Sequence, residues 1–188
     1  MEYGEIVSMP ETERAIRTAL QSAQKLANSR VDHVIACISG GSPRSYGLEG
    51  TVDIKTGIVD DNDIADVLGS CGIPAYGSDR EVLHAQPVNF SLDHRTGLSD
   101  PRGQIGKKLS VDMHMLTVKE KTIHDLAYCL KRCDLELAGV ASASYASALS
   151  SLVEDEKELG AACIDLGGGS TNLAIFWKKH MIFAETIK

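Results

Sequence analysis

A short polar segment, Asp165 to Thr171, holds the residues of this sequence that are best suited to chemistry. Its three consecutive glycines can adopt positive φ and have no Cβ, so several backbone N–H groups can point at one anion such as a phosphate. The aspartate before them suits a divalent cation or its bound waters, and the hydroxyls after them can add a ligand. We predict a site for a phosphate and a divalent cation formed by Asp165, Gly167, Gly168, Gly169, Ser170 and Thr171, with Asp165 holding the cation or its waters.

Two apolar stretches flank this segment and must position it. Ala161 to Ile164 is predicted to form a buried strand and Leu173 to Trp177 a second one, so the glycines become the tip of a hairpin. A hairpin that uses glycine only for its turn geometry is the alternative. The acidic residue before the glycines and the hydroxyls after them favour the phosphate site.

The composition argues against several classes of protein. A net charge of −7 and a pI near 5.3 do not suit a nucleic-acid-binding surface, which needs clustered lysine and arginine. No run approaches the roughly 20 apolar residues of a membrane span, and the N-terminus lacks the features of a signal peptide. A cytoplasmic protein without a nucleic-acid partner is therefore expected. Five cysteines with no Cys-x-x-Cys spacing indicate neither a disulfide framework nor a zinc site.

The first part of the chain alternates helix and strand signals. A capping box at Ser8 to Glu11 predicts an amphipathic helix. The apolar stretch Val31 to Ser39 predicts a buried strand, and Gly50 to Val59 predicts a short one.

Two groups of side chains in the middle of the chain leave a metal site open as an alternative. The first group is Asp60, Asp61 and Asp63, which stand where a helix is predicted to begin. We favour a helix-capping role for them over metal binding, because the helix dipole stabilises anions in the first turn. The second group has no pair at helical ligand spacing, so packed or surface histidines are favoured over zinc ligands: His84, His94 and His114.

The remaining signals place a strand-rich block inside an α/β layer. Strands are predicted at Arg80 to Asp93 and Leu109 to Thr117, with a loop between them, and the alternation in the second indicates a half-buried strand. A second capping box at Thr117 to Glu120 predicts a helix. A strand at 135–141, a helix at 142–153, an acidic loop at 154–158 and a strand at 181–187 are predicted after it. We treat Thr51 to Thr117 as an inserted subdomain.

Together these segments resemble the FtsA family of bacterial cell-division proteins over nearly the whole chain. The glycine hairpin is similar to the second phosphate-binding loop of the actin, heat-shock-70 and sugar-kinase ATPases. Segments 133–142, 154–160 and 165–171 are similar to the family's in the same order. The most specific likeness lies in the middle block, at Val82, Leu83, His84, Pro87, Phe90, Leu92, Asp93, Gly97, Asp100, Pro101, Gly103, Gly106, Leu109, Val111, His114 and Thr117.

The resemblance implies an actin-like (ribonuclease-H-like) α/β ATPase fold, present in part, with an inserted strand-helix-strand-strand subdomain of the SHS2 type, called 1C. It implies subdomain 1A at residues 1–51 and 118–152, 1C at 52–117, and the start of subdomain 2A at 153–188. ATP and magnesium are the implied cofactors of the full-length parent. The loop Asp165 to Thr171 would contact the β and γ phosphates and the magnesium shell.

The resemblance also implies a scaffold role in cell division. The family tethers FtsZ filaments to the membrane and recruits later division proteins, and 1C serves self-association and those later partners. FtsZ binding is implied for a 2B subdomain and membrane binding for a terminal amphipathic helix, which this sequence does not contain. The parent is expected at the cytoplasmic face of the inner membrane at the division site.

This sequence departs from the family pattern at both ends. It begins at a helix that the family places after three strands and ends inside 2A, so we expect a truncated fragment that cannot bind ATP fully and an ATPase activity that is at most weak in the parent. The strand at Val31 to Ser39 is then expected to expose apolar side chains and an unpaired edge. The alternatives are an active ATPase of which this chain is an excerpt, and a sugar-kinase-like enzyme, for which we identify no carboxylate base.

Overall fold

The computed structural model describes residue 2 and residues 4–187, which form five helices and nine strands. In chain order these are α1 (Met9–Ala27), β1 (His33–Ile38), β2 (Arg44–Asp53), α2 (Asp61–Gly69), β3 (Arg80–Leu92), β4 (Arg95–Leu98), β5 (Lys108–Lys119), α3 (Glu120–Arg132), β6 (Glu136–Ser142), α4 (Ala143–Ser151), α5 (Glu154–Leu159), β7 (Ala161–Leu166), β8 (Thr171–Trp177) and β9 (His180–Ile187). Among these residues no helix is both long enough and apolar enough to cross a bilayer.

The strands form three separate sheets. Strands β1 and β6 pair in parallel, β2, β5, β3 and β4 form an antiparallel sheet in that order, and β7, β8 and β9 form an antiparallel meander. Strand β2 begins at Arg44, earlier than the predicted Gly50, and β4 lies inside the segment that was predicted to be a loop. Strand β2 is longer because it pairs along its whole length with the distant β5, whereas β4 forms a tight hairpin with β3, which ends two residues before it.

Helix α2 covers one face of the four-stranded sheet. Val67 and Leu109 are fully buried in the resulting core, together with Leu92. The helix begins at an N-cap, Asp60, whose carboxylate accepts hydrogen bonds from the backbone N–H groups of Asn62 and Asp63. The Asp63 carboxylate accepts in return from the Asp60 N–H at 3.0 Å. These backbone bonds lower the pKa of Asp60 and confirm that the aspartate cluster starts the helix.

Strand β5 is buried on both faces over its second half, contrary to the predicted half-buried pattern. Leu109 and Val111 are buried as the alternation requires, but every residue from His114 to Val118 is buried as well. The second face is covered because Leu116 packs into a cluster with Phe176 and other residues of the β7–β9 sheet. Strand β5 therefore belongs to two cores.

Helices α1 and α3 pack together beside the β1–β6 pair, with Leu130, Cys133 and Leu135 buried in their shared core. Among the described residues β1 pairs with β6 alone, and Ile35 on β1 is 74% exposed. The expectation of a buried strand is therefore wrong for most of β1, and the expected exposed apolar side chains are present.

Helices α1 and α3 begin without the side-chain capping bonds that the sequence predicted, and one predicted loop is helical. Ser8 is the N-cap of α1 but makes no side-chain capping bond. Helix α3 begins at Glu120, while Thr117 lies within β5, where its hydroxyl accepts a hydrogen bond from Nε of Arg80 at 2.9 Å. The acidic segment after Val153 is helix α5, not a loop, and the Glu156 carboxylate accepts from the Val153 N–H at 3.0 Å.

Candidate phosphate-binding loop

The predicted hairpin is present between β7 and β8, but the expectation that its first strand is buried is wrong, since Ile164 is 61% exposed. The antiparallel register pairs Asp165 with Asn172 and Leu166 with Thr171, which leaves residues 167–170 at the tip. The tip is closed by a hydrogen bond from the Gly167 N–H to the Ser170 carbonyl oxygen at 3.0 Å. All six predicted site residues therefore lie on one exposed turn and the first strand positions beside it.

The turn needs glycine for the absence of a Cβ, and not for positive φ. Within the described chain the glycines with positive φ lie elsewhere, so the turn at 167–169 does not use the positive φ that glycine allows. A Cβ on Gly167 would stand 2.9 Å from the Ser170 carbonyl oxygen, closer than real contacts allow, so the closed turn requires glycine there. A Cβ on Gly168 would meet no atom within 4 Å. The open space beside Gly168 leaves room for a ligand to approach the backbone.

Asp165 is held at the base of the loop by two neighbouring elements. Its Oδ2 accepts hydrogen bonds from the Ser147 hydroxyl of α4 at 3.2 Å and from Nδ2 of Asn172 at 3.3 Å. Both bonds reach the same oxygen. In the described part of the chain Oδ1 has no hydrogen-bond partner, so that oxygen can accept a hydrogen bond from a metal-bound water or bind a cation directly.

Asn172 fixes the position of this carboxylate. The side chain is 2% exposed, and its Oδ1 accepts a hydrogen bond from the Thr186 hydroxyl of β9 at 2.9 Å. Its Nδ2 also lies 3.4 Å from the Ser39 hydroxyl, just beyond the end of β1. One buried amide thus connects the hairpin to β9 and to the end of β1.

The loop lies near the carboxyl ends of the two parallel strands. Ile38 of β1 is paired with Ser142 of β6, and the Ser142 N–H donates a hydrogen bond to Nε2 of His84 at 3.0 Å. Burial lowers the pKa of His84, which keeps the ring neutral and able to accept this bond. Ligands in α/β proteins commonly bind outside the carboxyl ends of strands, so this edge is a reasonable place for a site.

The other histidines that could have been zinc ligands have packing or surface positions. His114 Nε2 lies 3.1 Å from the Ser45 hydroxyl, and that hydroxyl donates to the Ala184 carbonyl at 2.9 Å. Because the Ser45 hydroxyl proton is used in the bond to Ala184, Nε2 of His114 must donate to the Ser45 oxygen. Nδ1 of His114 is then a buried acceptor that has no partner in the described chain. Burial, with His84 nearby, lowers the pKa of His114 to about 4. His94 is exposed at the β3–β4 turn.

The chemistry of the loop favours an anion that arrives with a cation. The side chains that surround Asp165 in the network are uncharged: Ser39, Ser147, Asn172 and Thr186. A phosphate at Gly168 would meet the negative Asp165 without a compensating lysine or arginine in this network. Magnesium between the carboxylate and the phosphate would remove that repulsion, and the oxygen donors of Asp165, Ser170 and Thr171 are the type that magnesium prefers.

Sequence reasoning identified the loop but not the residues that orient its carboxylate. Ser39 lies 133 residues from Asn172, and Ser147 lies 18 residues before Asp165. The available signal was the position of Ser39 at the end of a predicted strand. Ser147 lies inside helix α4, which the sequence predicted as a helix at 142–153 without indicating that any of its side chains contacts the loop.

Comparison with known proteins agrees with this architecture. Residues 40–117 match the family model described as the SHS2 domain inserted in FtsA. Over 98% of its length, the chain is 35% identical to cell division protein FtsA of Rhizobium meliloti (strain 1021), and it covers 42% of that protein. The FtsA proteins of Pseudomonas aeruginosa and Bacillus subtilis (strain 168) are 34% and 26% identical over 94% and 100% of this chain, with 42% and 43% of their own lengths covered.

A solved structure supports the fold independently of sequence. A chain of the PilM-PilN type IV pilus biogenesis complex superposes with a TM-score of 0.64 at 13% identity, covering all of this chain and 50% of the other. The predicted actin-like α/β fold with an inserted SHS2 domain is confirmed. The division at residues 51, 117 and 152 stays a prediction. The chain spans about 42% of the length of the FtsA relatives that it matches, and over that segment it is similar to the cell division protein FtsA.

Proposed function

We propose that this chain acts in the bacterial divisome as a scaffold segment whose SHS2 domain binds later division proteins. The observation that carries the proposal is the match of residues 40–117 to the SHS2 domain of FtsA, in a chain similar to FtsA along nearly its whole length. An interaction domain needs an accessible apolar surface that is held in one conformation before the partner arrives.

The end of the four-stranded sheet that lies away from α3 offers such a surface. Ile58 and Ile105 are 51% and 76% exposed and face each other across an isolated antiparallel bridge. The two loops are tied together by backbone hydrogen bonds, from the Val59 N–H to the Gln104 carbonyl at 3.0 Å and from the Gly106 N–H to the Gly57 carbonyl at 3.1 Å. We call Ile58 and Ile105 the isoleucine pair, and we propose that it contacts the tail of a later division protein, with self-association as the other use of this domain.

We further propose that the loop at Asp165 to Thr171 supplies one half of an ATP and magnesium site. Asp165 would bind magnesium through a water at Oδ1, while the backbone around Gly168 would approach the phosphate. Phosphoryl transfer needs charge stabilisation from the opposite side as well, and the described network contains no cationic side chain that could provide it. This chain is therefore proposed to contribute to nucleotide binding without being an ATPase by itself.

The remaining parts of the proposed role rest on the family resemblance. In the family that the chain resembles, FtsZ binding and membrane attachment are expected from segments other than the one matched here. The full-length protein is proposed to act at the cytoplasmic face of the inner membrane, at the division site.

Pull-down by the purified chain tests the scaffold role. We expect the wild-type chain to retain the cytoplasmic tails of later division proteins but not FtsZ, and Ile105→Asp to lose them because a charge would be buried at the contact. Leu159→Asp, which changes an equally exposed apolar residue outside the SHS2 domain, is the matched control and should retain them. Equal capture by Ile105→Asp, or capture of FtsZ alone, would contradict the proposal. Titration of the same samples with ATP and magnesium tests the loop, and micromolar affinity would show that the chain needs no second half.

A further inference from the structure

Three side chains with metal-ligating atoms converge at a place unrelated to the phosphate loop. Glu81 extends from β3, and Glu120 and His124 extend from the first two turns of α3. His124 Nε2 lies 3.6 Å from Glu81 Oε1 and 3.6 Å from Glu120 Oε1. The three ligand atoms all lie within 4.8 Å of one another. We call these residues the β3–α3 cluster.

The backbone brings the cluster together. Strand β5 continues directly into α3, and its pairing with β3 sets Glu81 opposite Val118. The Glu120 N–H donates to the Asp79 carbonyl at 3.0 Å, which ties the start of the helix to the start of β3. His124 follows Glu120 by four residues, so both side chains lie on one helix face. The convergence therefore depends on fixed elements rather than on flexible side chains alone.

The distances suit a shared metal ion better than direct hydrogen bonds. At 3.6 Å, His124 Nε2 is too far from either carboxylate for a hydrogen bond. Nitrogen and oxygen ligands at about 2.1 Å from a tetrahedral zinc ion are separated from each other by about 3.4 Å. A small movement of the side chains would therefore place all three atoms around one ion.

The charges at the cluster also favour a cation. Within the described part of the chain, the ion pairs of Glu81 and Glu120 involve only His124, whereas the neighbouring Lys121 is paired with Asp125. A protonated histidine would neutralise only one of the two carboxylates. The cluster is partly open to solvent, with His124 62% exposed, so an ion and its waters can enter. Imidazole among the ligands selects zinc-like transition metals over magnesium or calcium.

We propose that Glu81, Glu120 and His124 form a binding site for a divalent transition-metal ion of the zinc class, with water completing its coordination. The bound ion links β3 of the SHS2 sheet to helix α3 of the flanking layer. It thereby adds a side-chain link between the inserted domain and α3, beside the backbone hydrogen bond from Glu120 to the Asp79 carbonyl. The proposal is independent of nucleotide binding at the hairpin.

Titration with Zn²⁺, and with Co²⁺ followed by visible absorption, tests the site at about pH 7.5, above the ordinary titration range of histidine. The chain is used in a Cys37→Ser background, because Cys37 is an exposed free cysteine and thiolates are zinc ligands, so it could give a competing signal. We expect one equivalent of metal to bind, and His124→Gln and Glu81→Gln each to weaken binding at least about tenfold. His33→Gln is the matched control, because His33 is also exposed but lies near a single carboxylate, Glu136, at 3.4 Å.

A second readout separates a metal site from a simple ion pair. Zinc should raise the melting temperature of the background protein and of His33→Gln, but not that of His124→Gln, because a ligand that binds only the folded state stabilises it. Equal zinc affinity in His124→Gln and in the background protein would overturn the proposal. So would the absence of binding at millimolar zinc in a protein whose circular dichroism shows that it is folded.

Discussion

Replacing Asn172 by alanine should both destabilise the fold and remove one of the hydrogen bonds that hold the Asp165 carboxylate in place. The amide is 2% exposed and takes part in three side-chain hydrogen bonds. The bond from Thr186 at 2.9 Å has ordinary length and contributes about 1 kcal/mol, whereas the contacts to Asp165 and Ser39 at 3.3 and 3.4 Å are long and contribute about 0.5 kcal/mol each. Asp165, Ser39 and Thr186 are only partly buried, so water can replace the lost partner.

The expected decrease in the free energy of unfolding is therefore about 2 kcal/mol, or roughly 4 to 8 °C in melting temperature for a chain of this size. Urea unfolding followed by circular dichroism measures it. Asn89→Ala is the control, since Asn89 makes one exposed contact with Asp112 at 3.1 Å, and its change should stay within about 0.5 kcal/mol.

A double-mutant cycle with Thr186→Val separates the strongest bond from the rest. The coupling energy between positions 172 and 186 should be about 1 kcal/mol, because both variants remove the same hydrogen bond. A total loss below about 0.5 kcal/mol for Asn172→Ala, or no coupling in the cycle, would refute the role of this amide as a structural connection.

Two further predictions concern other parts of the fold. The unfolded state binds a proton at His114 near pH 6.5 whereas the folded state resists it until about pH 4, so stability should be complete above pH 6.5 and fall by up to about 3 kcal/mol as pH decreases to about 4. Urea unfolding across this range should show a weaker pH dependence in His114→Gln, and an unchanged slope would contradict the assignment. Gly50→Ala should destabilise by about 2 kcal/mol, because a Cβ there stands 2.5 Å from the Val67 carbonyl oxygen of α2. Gly47→Ala in the same strand should be nearly neutral, since no atom lies within 4 Å, and equal unfolding midpoints for the two variants would show that α2 moves to make room.

The sequence predicted best where a local pattern and a tertiary requirement coincide. The hairpin was predictable because apolar stretches flank a glycine-rich turn, and the start of α2 because Asp60 caps it through residues two and three positions ahead. Thr117 shows the opposite case. It stands three residues before a glutamate, as in a capping box, yet it pairs with Arg44 of β2 and Val82 of β3 and belongs to a strand.

The candidate site divides in the same way. Asp165 and the glycines are adjacent in sequence, so their shared chemistry was visible. The partners of Asn172 come from β7, from β9 and from Ser39 just after β1, and no local pattern brings Ser39 to a residue 133 positions away. The double burial of β5 was missed for the same reason, because its second face is covered by a sheet that begins more than 40 residues later.

The uninterrupted passage from β5 to α3 has a mechanical consequence. Strand β5 has twelve residues, which span about 40 Å, and α3 begins at the next residue without a loop. A force applied by a partner near Ile105 would be transmitted through the sheet to β5 and from there to α3. Since no flexible linker separates β5 from α3, the SHS2 domain is not free to reorient at this connection. A rotation of the SHS2 domain at its Ile105 end would therefore also move α3, unless the packing of α3 against α1 and the β1–β6 pair resists it.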